Sequence, residues 1–213
     1  MGPFENVAED YDRWYDTIEG AAILAAELEC LRTVAPQMQG NWLEIGVGTG
    51  RFAGPLGIPI GVEPSPQMAK LARQRRIEVL EGRAEDLPLA ANSFDFAVMV
   101  TVVCFLDDVA KAFKEVFRIL KPNGTLVVGF IDRESALGMD YSQKKDQSRF
   151  YRDATFYSVS ELEALLSEAD FSNFNYRQTL LPGETTGLTV REGHGYGGFV
   201  VIKAHKTEKR SEA

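Results

Sequence analysis

Short apolar runs alternate with amphipathic stretches along most of this chain, which is the pattern of a parallel sheet covered on both faces by helices. The runs are NWLEIG at 41–46, PIGV at 59–62, IEVL at 77–80, FDFAVMVTV at 94–102, TLVVGFI at 125–131, FNYRQTL at 174–180 and FVVIKA at 199–204. Seven strands in an α/β fold are therefore expected. Helices are expected over 66–75, 107–120 and 158–169. The second opens on Asp107 and Asp108, where the helix dipole favours negative charge, and closes with Arg118 and Lys121 before Pro122-Asn123-Gly124. The third has capping-box spacing if Ser160 is its N-cap and Glu163 the partner. Residues 5–37 show apolar residues at helical spacing and no strand signal, so two helices should precede the first strand.

The whole chain, 1–213, reads as one domain: cap helices over 1–38, a ligand-binding half over 39–132, and a charged, frayed tail over 205–213. The segments 133–157 and 181–198 fit neither period, and long irregular segments of this kind serve as lids or stay poorly ordered.

Composition removes several classes of function. The chain carries 23 Lys and Arg against 31 Asp and Glu, a formal charge of −8, with 45% hydrophobic residues. That is a globular, acidic composition, and RQRR at 73–76 is its one compact basic run, so nucleic-acid binding is not expected. No apolar stretch reaches the ~18 residues of a membrane span, and the N-terminus is acidic where a leader would be basic, so a cytoplasmic location without membrane contact is expected. Cys30 and Cys104 have no partner spacing, which excludes a disulfide framework and a Cys-rich zinc site.

The chemistry concentrates at Leu43-Glu44-Ile45-Gly46-Val47-Gly48-Thr49-Gly50, directly after the first strand. Glycines there let the backbone turn sharply and approach a ligand at the mouth of the crevice. The spacing is G-x-G-x-G and lacks the third glycine of a dinucleotide fingerprint. Gly54, Pro55 and Gly57 also interrupt the helix that would hold a diphosphate. Glu63 ends the second strand 17 residues past Gly46. It is either a ribose acceptor, binding both hydroxyls through its two oxygens, or a solvated strand end.

With these residues in place, the chain resembles the class I S-adenosylmethionine-dependent methyltransferases, in particular the small-molecule group of the ubiquinone and menaquinone pathways. The resemblance runs from about Phe4 to Lys203 through LEIGVGTGRF at 43–52, GVEPSPQMA at 61–69, EGRAEDLPLAANSFDFAVMVTVVCFLDD at 81–108 and ILKPNGTLVVGF at 119–130. It implies a Rossmann-like, seven-stranded, mostly parallel sheet with an antiparallel last strand and helices on both faces. It implies S-adenosylmethionine as cofactor, no metal, and direct in-line transfer to a small-molecule acceptor by a monomer or homodimer. By the same resemblance Glu44, Gly46, Gly48 and Gly50 line the methionine half and Glu63 holds the ribose. Pro64 and Met68 pack on adenine, Ala84 and Glu85 meet its edge, Thr101 and Val102 face the sulfonium, and Tyr11 reaches the carboxylate end. Arg83 departs from the pattern, since the family often has an acidic residue after the glycine corresponding to Gly82.

Topology selects the remaining candidates. If the sixth strand is parallel to the first five, the loop 181–198 lies at the crevice with His194, while His205 lies at the far end of the sheet. Asp132 and Arg133 follow the fifth strand into the same crevice. His194 is either a proton acceptor or a loop residue, and Asp132 either a substrate contact or a loop anchor. A nicotinamide-dependent oxidoreductase is disfavoured by the glycine spacing, and a base-modifying nucleic-acid enzyme by Thr101-Val102-Val103-Cys104-Phe105 after the fourth strand. A non-catalytic S-adenosylmethionine-binding regulator is the remaining alternative. The polar segment 133–157 points to a small polar or aromatic acceptor instead of a prenylated one.

Overall fold

The computed structural model describes residues 7–34, 40–184 and 188–207. Phe4, positions 35–37 of the second expected helix, 185–187 of the second candidate lid and 208–213 of the tail lie outside the described residues. The strands are β1 (Trp42–Ile45), β2 (Ile60–Glu63), β3 (Glu78–Glu81), β4 (Phe94–Val100), β5 (Leu120–Ile131), β6 (Phe171–Thr179), β7 (Arg191–Glu192) and β8 (Phe199–Lys206). They form one sheet in the order β3-β2-β1-β4-β5-β8-β6-β7. The first five strands are mutually parallel, and β8 inserts antiparallel between β5 and β6. Strand order reverses between β1 and β4, which opens the crevice at their carboxyl ends.

The helices are α1 (Ala8–Trp14), α2 (Ile18–Val34), α3 (Ala53–Leu56), α4 (Pro66–Gln74), α5 (Val109–Ile119), α6 (Ala136–Lys144) and α7 (Val159–Glu168). Alternate residues of β4 serve opposite cores: Ala97 and Met99 pack with Phe113 of α5 and Leu162 of α7, while Val98 and Val100 pack with Leu31 of α2 and Ala72 of α4. Burial on both faces is why these strands read as continuous apolar runs instead of alternating ones. Among the described residues, no helix is long and apolar enough to cross a membrane.

The structure corrects the sequence reading in three places. The sheet has eight strands, not seven, because Arg191 and Glu192 pair with Gln178 and Arg177 as a two-residue edge strand. Both are exposed and polar, so no hydrophobic signal marks them. Segment 133–157 contains α6, started by the Ser135 hydroxyl accepting the Gly138 N–H at 3.0 Å. Only Gly138 of that helix is buried, so it has no apolar stripe to announce it. The cap of α7 is Ser158 and not Ser160: the Glu161 carboxylate accepts the Ser158 N–H at 2.8 Å while the Ser158 hydroxyl accepts the Glu161 N–H at 3.3 Å. Starting there turns Val159, Leu162 and Leu166 onto the sheet, so burial chooses between two equivalent Ser-x-x-Glu registers.

Helix α2 breaks the usual rule of burial. Its inward face carries Leu24, Leu28, Leu31 and Val34, and among them Glu27, which is only 3% exposed. Burial pushes the Glu27 carboxyl up to about 8.

Candidate functional site

After β1 the chain folds back on β2, with the Gly46 and Val47 N–H groups donating to the Val62 carbonyl at 2.8 and 3.1 Å. Gly46 and Gly48 have φ of 70° and 53°, in the left-handed region that favours glycine. A Cβ on Gly46 would lie 2.2 Å from Val102 Cγ2, whereas one on Gly48 would meet only the Gly46 carbonyl, at 4.0 Å. Gly46 thus lets β1 and β4 close up, and Gly48 borders open space. Helix α3 has only four residues, as the interruptions by Gly54, Pro55 and Gly57 require.

That open space is a cavity of about 430 Å³ over the carboxyl ends of β1, β2 and β4. It is lined by Tyr11, Gly46, Gly48, Glu63, Pro64, Met68, Ala84, Glu85, Thr101 and Val102, all expected from the sequence. It is also lined by Ser65, Gly82, Arg83, Val100, Phe105, Leu106 and Asp107. The last three follow β4 on a short helical turn and its exit, where local periodicity says nothing about a cavity.

Glu63 is the polar centre of the cavity and is 8% exposed. One carboxylate oxygen accepts the Gly48 N–H at 2.9 Å and the other the Ser65 N–H at 2.9 Å. Burial raises its pKa and these two donors pull it back, with burial the larger effect. Each oxygen keeps an acceptor position, so the pair is set to receive two neighbouring hydroxyls. The cavity volume falls in the range of small-ligand sites. With the space beside Gly48, it fits a nucleoside ligand with a free ribose diol.

At the rim of the cavity, the Glu85 carboxylate accepts the Asp107 N–H at 3.0 Å and lies 3.5 Å from Arg83 Nε, and Arg83 also pairs with Asp107. Arg83 therefore ties Glu85 and Asp107 together in place of the acidic residue often found at its position. Thr101 is a β-branched residue at φ 51°, a conformation that costs on the order of 1–3 kcal/mol and clusters at functional sites. Its N–H is held by the Gly129 carbonyl at 2.8 Å. Beside it, the Tyr11 hydroxyl meets that of Tyr15 at 3.0 Å.

Helix α1 is fastened over the loop by charge. Arg51 Nε and Nη2 each donate to the Asp12 carboxylate at 2.9 Å, Arg51 Nη1 donates to Asp16 at 2.7 Å, and Arg75 Nη2 reaches Asp12 at 3.0 Å. Arg75 also donates to the Thr49 carbonyl of the glycine loop at 2.9 Å. These guanidinium groups hold the Asp12 and Asp16 carboxyls below their ordinary values, although burial opposes the effect at Asp12.

Four expected site residues lie elsewhere. Glu44 is 1% exposed beneath the loop; its Oε2 has no partner among the described residues, and burial pushes its pKa well up, the Ala53 backbone opposing. Its neighbours Leu43 and Ile45 face the opposite core, so strand alternation carries Glu44 under α3 and away from the cavity. A Cβ on Gly50 would lie 2.5 Å from Ile77 Cδ1, so this glycine serves packing between the loop and α4. His194 is exposed, with its ring 4.9 Å from that of Tyr176 on β6. Asp132 is 2% exposed and accepts the Glu134 N–H at 3.1 Å as an anchor for the turn into α6. His194 is near enough that its charge lowers the Asp132 pKa, although burial dominates and raises it. Neither residue lines the cavity.

Comparison with known proteins agrees with this geometry. Residues 43–128 match the family model described as a methyltransferase domain. The fold superposes with TM-score 0.91 on a Thermotoga maritima S-adenosylmethionine-dependent methyltransferase described as a possible histamine N-methyltransferase, which is 47% identical over 96% of this chain and 99% of that one. An uncharacterised protein of Methanocaldococcus jannaschii is 43% identical over 97% of this chain and 100% of its own length. A demethylmenaquinone methyltransferase of Listeria welshimeri is 27% identical over 58% of each chain.

Proposed function

The chain belongs to the S-adenosylmethionine-dependent methyltransferases, and from that premise we propose that it methylates a small-molecule acceptor at the cavity over β1, β2 and β4. The observation that carries the assignment of the site is the Glu63 carboxylate, buried and fixed by two backbone N–H groups while both oxygens remain able to accept a ribose diol. Gly46 and Gly48 border the methionine half, Pro64 and Met68 pack on adenine, and Ala84 and Glu85 form its rim. Thr101 and Val102 face the reacting end, and Tyr11 closes the carboxylate end from α1. S-adenosylmethionine supplies a methyl group already activated by a positively charged sulfur. The protein's contribution is to hold the acceptor in line and to exclude water. Such orientation supplies on the order of 7–11 kcal/mol. With His194 and Asp132 outside the cavity, position carries more of the rate than a titrating base.

A small acceptor is supported by the acidic charge of −8, which disfavours nucleic acid. The similarity to the Listeria enzyme, whose name denotes a menaquinone precursor, and to the Thermotoga protein points the same way. Calorimetric titration should give micromolar binding of S-adenosylhomocysteine, about −8 kcal/mol, with nicotinamide dinucleotides at least ~100-fold weaker. Methyl-labelled cofactor should pass its label to a small acceptor. Tighter binding of a dinucleotide would overturn the site assignment, and label found only on macromolecules would overturn the acceptor class.

The two glycines give a finer test. Gly50→Ala is expected to lose about 2–4 kcal/mol of stability, from left-handed strain and the clash with Ile77. Gly48→Ala should lose only about 1–2 kcal/mol, from backbone strain, yet weaken S-adenosylhomocysteine more than Gly50→Ala does. Equal affinity losses in the two variants would show that Gly48 does not border the ligand.

A further inference from the structure

Three consecutive residues of α1 have three different duties. Tyr11 lines the cavity. Asp10, just before it, pairs with Arg149, and Asp12, just after it, holds Arg51 and Arg75. The Tyr11 ring also meets that of Phe150 edge-on, with 5.4 Å between centroids. Tyr11 is therefore strapped over the cavity between ties to the glycine loop and α4 and ties to residues 149 and 150. Apolar packing adds little: Ala8 is the one buried residue of α1, joined by Tyr15 at its C-cap. An element with so small an apolar anchor opens at lower cost than the fold as a whole.

The charged ties are unequal. Asp16 is 63% exposed, and exposed pairs contribute little. The Asp12 side chain is 14% exposed and accepts the Arg51 fork through both oxygens, a strong, charge-assisted arrangement. Asp12 also reaches the other wall of the cavity. Arg75 donates through Nη2 to Asp12 at 3.0 Å and through Nη1 to the Thr49 carbonyl at 2.9 Å. Thr49 stands between Gly48, which borders the cavity, and Gly50, which packs on α4. When α1 lifts, Arg51 and Arg75 lose the carboxylate they share and repel each other as like charges. The loop fixed by both guanidinium groups is then loosened.

We propose that α1 and the glycine loop open as one unit to exchange S-adenosylmethionine, and that the Asp12 carboxylate, shared by Arg51 and Arg75, is the catch. Asp12 is a positioning residue: it touches neither cofactor nor acceptor and acts through the two arginines. The proposal rests on the reading of the cavity as the cofactor site.

The test measures association and dissociation rates of S-adenosylhomocysteine on the full chain by stopped-flow fluorescence. A ligand that enters only the open form associates in proportion to the population of that form, so a weaker catch speeds entry as well as exit. Asp12→Asn keeps the shape and loses the charge, and both rates should rise by at least ~5-fold, given what hydrogen bonds to a charged group contribute. Asp12→Glu should recover part of the wild-type rates. Asp16→Asn, which removes the exposed tie to the same Arg51, should change either rate by less than ~2-fold. Far-UV circular dichroism checks each fold. If Asp12→Asn does not fold, Arg51→Lys, which keeps the charge but loses the fork, takes its place with the same expectation. Unchanged rates would overturn the proposal. So would faster dissociation with association unchanged or slowed, the pattern of a pocket damaged in place, and so would an equal effect of Asp16→Asn. Failure of S-adenosylhomocysteine to bind the wild-type protein would instead overturn the reading on which the proposal rests.

Discussion

Glu63→Ala is expected to weaken S-adenosylhomocysteine binding by about 1.5–3 kcal/mol, the usual loss for hydrogen bonds to a charged group, or roughly 10- to 150-fold. On the proposed reading of the cavity the variant loses the acceptor for two ribose hydroxyls, and it also leaves the Gly48 and Ser65 N–H groups without their carboxylate. A modest fall in stability should accompany it. Glu63→Gln separates the two effects: the amide oxygen keeps one backbone donor satisfied, but its nitrogen cannot accept a second. Gln should therefore restore stability more fully than affinity. Calorimetry on both variants, with far-UV circular dichroism to check the fold, measures this. Wild-type affinity in Glu63→Ala would remove Glu63 from the ribose and the site assignment with it.

Glu27→Gln should make the protein more stable in mildly alkaline solution, an uncommon result for a change at a buried position. The folded carboxyl is raised to about 8 from an ordinary 4.5. Between these values the unfolded chain gives up a proton that the native chain keeps. The stability linked to Glu27 is therefore fully present below about pH 4.5 and lost as pH rises through about 8. Over that window the loss is on the order of a few kcal/mol. The glutamine variant does not ionise and escapes it. Denaturant midpoints at pH 5.5 and 8.5 should show a shallower decline for Glu27→Gln than for wild type. Some decline should remain, because Glu44 is raised by the same cause. Asp12, Asp16, Glu115 and Glu161 are lowered, so their stability is lost on acidification through their folded values and does not enter this window. Identical pH slopes in the two proteins would show that Glu27 does not carry the shift. A residue that lowers stability at neutral pH is one whose retention calls for a functional reason.

Residues near one another in sequence determined a large part of this protein by themselves. Short apolar runs specified β1 to β5, most plainly in β4 and the second half of β5, because strands buried on both faces are apolar at successive positions. Gly46 and Gly48, with Glu63 at the next strand's end, marked the cavity because turn geometry and strand polarity place them at one mouth. Only the tertiary structure decided the rest. It chose Ser158 over Ser160 by which register buries Val159, and it formed α6 and β7 from polar segments through contacts that leave no period. It sent Glu44 and Gly50 into the packing beneath the loop, although their motif is intact. It set His194 against Tyr176 and Asp132 against the turn into α6, so residues at the correct end of the sheet miss the cavity. Glu27, read locally, is one more glutamate on an amphipathic helix. Only the tertiary structure decides that it is buried, and burial is what raises its carboxyl, since what a glutamate does depends on whether the folded chain leaves it in water.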